Sequence, residues 1–217
     1  TIKLTRDEEK DIWTWEVVSK VSGWFRKKTI LSAVRRCASI WRIKTKIKRE
    51  EEEEEQTGSR RTRSMELERQ AKTRELQELE TNRWSSIRKA EKEILRAIQV
   101  KFFTRERREI VEKGIDGPNL DREMTKRKSP LSPHNPFLGR DGLIRVGSRI
   151  MNSDLNEETK FPIILPKEDS NVIDLIRFCH ESELHSGAKQ VLCTLRQKYW
   201  ILQGLQAVKR VTSRCVR

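Results

Sequence analysis

The sequence predicts a mainly α protein in which long charged helices and a short β-strand pair precede a C-terminal bundle of three helices. Three observations predict it. Apolar residues recur every three or four positions through stretches dense in Glu, Arg, Lys and Leu. Four of the six prolines fall between residues 118 and 136 and divide the chain. Beyond that break come short apolar runs of strand character and then a renewed helical periodicity. The expected organisation is a helical connector over residues 1–114 with an acidic linker near 49–63, a Pro-rich linker over 115–136, a small β segment over 137–166, and a terminal module over 167–217.

From Asp11 to Lys48, apolar residues at helical spacing, most clearly Ile30, Val34, Cys37, Ala38 and Trp41, alternate with Arg35, Arg36 and Arg42. One or two amphipathic helices are expected there, with the apolar stripe as core. Trp13, Trp15, Trp24 and Phe25 are the residue types on which bases stack, but aromatics beside aliphatics at this spacing are read as core. Glu50 to Glu55 is an unbroken acidic run followed by Gln56-Thr57-Gly58-Ser59 and by Arg60-Arg61-Thr62-Arg63, and such charge blocks read as a linker. Ser64 to Lys113 contains neither Pro nor Gly, and Ile87, Ala90, Ile94, Ala97 and Ile98 fall on one stripe, so one long helix is expected, stopped at Gly114. Its heptad signal is too short to specify a coiled coil.

Gly117-Pro118, Ser129-Pro130, Ser132-Pro133 and Asn135-Pro136 mark the boundary, with Lys126, Arg127 and Lys128 inside it. His134 reads as a polar loop residue. Leu143-Ile144-Arg145-Val146 and Phe161 to Pro166 are the expected strand pair, with turns at Asp141-Gly142 and Gly147; Arg145 and Arg149 flank it as solvated charges. Asn171 to Arg217 reads as three short helices. In the first, Ile173, Ile176 and His180 share a face; in the second, Ala188, Leu192, Leu195 and Tyr199 do; in the third, Val208, Val211 and Cys215 do.

Composition bounds the function. Hydrophobic residues make up 35% and charged residues 37% of 217 residues, with 47 basic against 33 acidic side chains and a net charge of +14. That is too little apolar material for one large core, and a charge balance that attracts polyanions without sequence preference. No run of about 18 apolar residues exists, and the start lacks the order of a signal peptide, so an intracellular protein is expected. Cys37, Cys179, Cys193 and Cys215 are irregularly spaced and read as buried thiols or metal ligands more than as a disulfide frame. The chain begins with Thr1 and stops at Arg217 inside what looks like a cysteine motif, and it is read as a piece of something longer.

The chemistry concentrates in the terminal module. A bundle of some fifty residues is too small to build a full core, and a metal held at the inner ends of its helices would replace part of one. Zn²⁺ is borderline-soft and takes imidazole nitrogen and thiolate sulfur in a closed tetrahedron. His180 and His185, five apart, do not stack on one straight helical face, so the helix must end near His180 and turn, with Ser186-Gly187 leading into the next helix. From the residues alone two readings stay open: His180, His185 and Cys215 are ligands, or the histidines are a surface pair.

His180-x4-His185-x29-Cys215-Val216-Arg217 resembles the HHCC zinc-binding domain of retroviral and retrotransposon integrases, which closes on Cys-x2-Cys. The stretches Asp141 to Arg149, Phe161 to Pro166, His185-Ser186-Gly187 and Leu195 to Ile201 resemble the BEL/Pao class of LTR-retrotransposon polyproteins. The likeness covers about Asn135 to Arg217, and the helical half is similar, more loosely, to the connector between the RNase H and integrase regions. The resemblance implies Zn as cofactor, with His180, His185 and Cys215 as ligands and the fourth at the position after Arg217. Cys179 would then face a different side of its helix, and Cys193 would be an ordinary partly buried thiol. It further implies a non-catalytic accessory part that supports integrase assembly and the binding of element DNA ends, because the carboxylate triad of such enzymes lies in a downstream core. Arg196, Lys198, Lys209, Arg210 and Arg214 are the cations available for phosphate. Partners would be DNA and other integrase or polyprotein chains, without a membrane, in a cytoplasmic particle and the nucleus. The alternative is a helical scaffold in which zinc is purely structural and DNA binding is nonspecific.

Overall fold

The structure, a computed structural model, describes residues 21–57, 62–114, 129–147 and 153–215, and of 54–57 the helical backbone alone. Trp13, Trp15, Gly117-Pro118, Lys126 to Lys128 and Arg149 lie outside the described residues, as do Gly58 to Arg61. The described part is mainly helical with a small four-stranded sheet. Two compact units are distinguished: Lys28–Glu91, and the described residues of Thr1–Lys27 with Lys92–Arg217.

In the first unit α1 (Trp24–Thr57) and α2 (Arg63–Thr81) run antiparallel. The acidic run is helical. It continues α1 through Thr57, because Glu is a good helix former and its charges find partners on α2: Lys72 Nζ lies 2.5 Å from Glu50 and Arg69 pairs with Glu51. Lys44 and Glu80, at 3.7 Å, continue the ladder. No residue of α2 is buried, so charge pairing and not a core positions it. The expected single helix over Ser64 to Lys113 is broken twice, giving α2, α3 (Arg83–Phe102) and α4 (Thr104–Glu112). Asn82 makes the first break: its side-chain oxygen accepts from Ser85 N–H at 3.0 Å and caps α3. Phe103, 5% exposed, makes the second by turning into the core.

The second unit holds the sheet, in the order β1 (Pro136–Leu138), β2 (Ile144–Val146), β3 (Ile163–Leu165), β4 (Tyr199–Ile201). The first two neighbours pair antiparallel and β3 pairs with β4 parallel. The expected strand pair is thus β2 and β3, and two further strands join it. Tyr199 does not extend the second terminal helix. It enters β4, drawn alongside β3 by Ile163 N–H donating to Lys198 O at 2.9 Å and Leu202 N–H donating to Leu165 O at 2.9 Å, as its β-favouring neighbours Trp200 and Ile201 permit. Gly142, at φ 71°, supplies the predicted turn between β1 and β2. Gly147 is required for a different reason: a Cβ there would meet Asn135 O at 2.5 Å. His134 is not a free loop residue; it ends a 3-10 turn over Ser132–His134 with its ring edge-on to Trp200, centroids 5.4 Å apart, and burial lowers its pKa.

After a single helical turn α5 (Glu157–Lys160) come α6 (Ser170–Ser182), α7 (Ala188–Arg196) and α8 (Gly204–Thr212), each packed on the other two. Their inward residues Ile176, Val191, Leu195 and Val208 are buried. The first turn of α1 belongs to this unit. Lys27, 3% exposed, sits 2.7 Å from Asp174 and donates to Asn171 Oδ1 at 2.5 Å, and Phe25 stacks on Phe178 at 6.3 Å. Asp169 caps α6 by accepting from Asn171 N–H at 2.8 Å.

Asp169→Asn keeps that cap, since an amide oxygen accepts equally well, and removes a buried charge. Burial raises the Asp169 carboxyl above its ordinary range, so its protonated form is the one the fold favours. The resulting stabilisation is fully present in acid and lost as pH rises through the folded value. The variant is therefore expected to match the parent's melting temperature in acid and to exceed it near neutrality, a pattern thermal melts across pH would read.

Candidate metal centre

His180, His185 and Cys215 come together at the open end of α6, α7 and α8. One ligand atom from each lies within 4.8 Å of the others, and Cys215 Sγ is 3.3 Å from His185 Nδ1. Zinc bonds of about 2.0–2.1 Å to nitrogen and 2.3 Å to sulfur imply a tetrahedral nitrogen–sulfur edge of roughly 3.5 Å. The sulfur–imidazole separation is close to that edge, and the two rings stand at 89° with centroids 4.9 Å apart, so the three side chains lie within reach of one small cation.

The chain reaches this geometry through the end of α6. Leu184 N–H donates to Glu181 O at 3.1 Å and His185 N–H donates to His180 O at 2.8 Å, the paired bonds of a Schellman motif. That second bond ties the two histidines through their backbones and explains why a spacing of five succeeds. The expected glycine turn is replaced: Leu184 at φ 52° and His185 at φ 61° supply the left-handed residues, whereas Gly187 at φ −64° is the N-cap of α7. A leucine at this position costs about 1–2 kcal/mol relative to glycine's freedom, and strain of this kind concentrates at functional sites.

His180 is 5% exposed. Its Nδ1 lies 3.1 Å from Ser186 O, and a carbonyl only accepts, so Nδ1 carries the proton and Nε2 keeps the lone pair for a metal. Cys215 departs from expectation in one respect. α8 ends at Thr212, and Cys215 reaches the site through the following turn, exposed, with its N–H donating to Thr212 O at 3.2 Å. Cys179 is buried beside Val191 O and stands outside the ligand group; burial first, and Glu183 second, raise its thiol pKa. Cys193 and Cys37 are exposed free thiols, not the buried ones expected.

The five predicted phosphate cations divide. Arg210 and Arg214 line a cleft of about 120 Å³ together with His180, Glu181 and Cys215. Arg177 lines it too, a residue the sequence reading passed over; its position one turn before His180 on the same helix was the available signal. Arg177 also pairs with Asp174 at 3.0 Å, and Arg210 donates to Lys167 O at 3.0 Å. Lys209 is exposed on α8. Arg196 and Lys198 lie instead over the rings of Trp200, at 5.1 Å, and Tyr199, at 5.4 Å. No helix among the described residues is long and apolar enough to cross a membrane. No family model, curated protein or solved structure matches the chain.

Proposed function

We propose that residues 167–217 are a zinc-binding module of the HHCC type that contributes three of its ligands, a non-catalytic part of an integrase-related retroelement polyprotein that supports assembly and engages element DNA ends. The observation that carries this reading is the convergence of His180, His185 and Cys215 on one point through a strained helix end. Support for the family rests on the ligand spacing and the sequence stretches around it, taken with that geometry. Zinc bound by His180, His185 and Cys215 would cross-link the end of α6 to the segment that follows α8.

DNA engagement is assigned to the arginine-lined cleft beside the ligands. Arg177, Arg210 and Arg214 bring three guanidinium groups to it, a donor set suited to phosphate oxygens. Lys209 extends the same charge along α8. Replacing Lys209, Arg210 and Arg214 together by Ala is expected to reduce the slope of log K against log salt by about 2–3 for a duplex, at roughly 0.9 per phosphate contact. An unchanged slope would remove this surface from the proposal. The scaffold alternative draws on the anchoring of α1 to α6 through Lys27, Asn171 and Asp174, and it requires element-end and scrambled duplexes to bind equally at fixed salt.

A further inference from the structure

The apolar stripe on α1 was expected in a core, and its outer half is open. Ile30, Val34 and Trp41 are 37%, 41% and 69% exposed, and Cys37 between them is exposed as well. At spacings of four, three and four they lie on one face. Trp84, near the start of α3, is 67% exposed. A single exposed leucine needs no explanation, but tryptophan is highly buried on average, and here two are open in the same unit.

Their surroundings are cationic. From Lys28 to Arg49 the chain carries eight basic residues and no acidic one. Lys44 and Lys48 follow Trp41 on its own face, Arg42 adjoins it, and Arg88 stands one turn beyond Trp84; all four are exposed. The two indoles are not scattered at random over the unit. Lys44, three residues after Trp41, pairs at 3.7 Å with Glu80, four residues before Trp84, so the pair ties together the two stretches that carry the rings. On α1 the acidic groups that follow are engaged: Glu50 by Lys72, Glu51 by Arg69 and Glu52 by Lys48 at 3.6 Å.

We propose that this face of the Lys28–Glu91 unit binds single-stranded nucleic acid, with Trp41 and Trp84 as stacking platforms and Arg42 and Arg88 along the phosphates. Positive charge identifies the ligand as a polyanion. The open indoles select unpaired strands, because bases in a duplex already stack on each other and leave no face free for a side chain. A second copy of the chain is the other conceivable occupant. It is disfavoured because two such basic surfaces repel. This surface shares no residue with the metal centre and does not depend on the zinc reading.

The experiment is fluorescence anisotropy of the full chain with labelled oligo-dT of about 20 nucleotides and with a duplex of equal length, over a salt series. Trp41→Ala with Trp84→Ala is expected to weaken single-strand binding by about 10–100-fold, as loss of base stacking does, without changing the salt slope and with little effect on the duplex. Trp41→Phe with Trp84→Phe keeps aromatic faces and should retain most of the affinity, and it reports on the same surface if the alanine pair perturbs folding. Arg42→Ala with Arg88→Ala should instead flatten the slope. Unchanged single-strand affinity in the alanine pair would overturn the proposal. So would sedimentation showing that the free parent self-associates and the alanine pair does not, since that assigns the stripe to a second copy.

Discussion

If zinc binds as proposed, Cys215→Ser is expected to abolish the stabilisation it gives while leaving the metal-free protein almost unchanged. The asymmetry follows from where the sulfur sits. Cys215 is exposed and its Sγ meets His185 Nδ1 at 3.3 Å, so without metal the substitution removes little packing, and surface changes of this kind stay within about 0.5 kcal/mol. On the proposed reading the thiolate becomes a ligand when metal binds, and a serine hydroxyl is a poor replacement for it around a borderline-soft ion. An affinity loss of about 100-fold or more is expected. At free zinc 100 times the parent's dissociation constant, the parent gains about 2.7 kcal/mol; the variant should gain less than about 0.5 kcal/mol by the same relation. Thermal melts of both proteins with zinc and with chelator give the four values, and cobalt substitution should show sulfur-to-metal absorption in the parent alone. Equal zinc-dependent shifts would mean that Cys215 is not a ligand.

Much of that centre was legible in the sequence, and the part that was not has a definite cause. The apolar stripe placed His180 on the inner face of α6, and its burial agrees. The spacing of five required a helix end, but it did not say which residues would bend. Glycine is the expected residue at such a turn, and Ser186-Gly187 stood close by. The chain bends earlier, at Leu184 and His185, because only the paired bonds from Leu184 and His185 back to Glu181 and His180 return the second ring over the first. The same limit applies to α8, where the stripe through Val208 and Val211 pointed to Cys215 although the helix stops three residues short of it.

Elsewhere the errors share one origin, in that a local pattern reports how a segment would bury itself but not whether a partner exists. The stripe of Ile30, Val34 and Trp41 has the spacing of a core face and remains open. Glu50 to Glu55 has the composition of a linker and remains helical because Arg69 and Lys72, far along the sequence, oppose it. Tyr199 continues the periodicity of α7 and is taken by β3 instead. In the last two cases the decisive group is distant in sequence, so no window over the segment contains it.

Gln99 is the clearest such group, and its replacement should have the largest effect on the fold. It lies fully buried on α3. Its Nε2 donates to Ile144 O at 2.8 Å and to Ile164 O at 2.9 Å, while its Oε1 accepts from Ile144 N–H at 2.8 Å. The side-chain amide thus serves as a piece of backbone that links β2 to β3, whose own register pairs Arg145 with Ile163 alone. The strands it joins contribute Ile144, Val146 and Ile164 to a buried apolar cluster with Phe103, Ile110 and Leu131. Gln99→Leu keeps the volume but strands two carbonyls and one N–H, each at about 1–3 kcal/mol. A loss of about 3–5 kcal/mol is expected in denaturant melts, large against the stability of a domain. Gln99→Glu separates hydrogen bonding from volume more sharply. An ionised carboxylate still accepts from Ile144 N–H but faces two carbonyl oxygens with no proton to give, whereas the neutral acid can donate to one of them. The fold therefore favours the protonated form, so its stabilisation is present in acid and lost as pH rises through the folded pKa. The glutamate variant should recover part of the lost stability at low pH where the leucine variant does not, and parallel pH profiles for the two would show that Gln99 acts by filling space rather than by joining the strands.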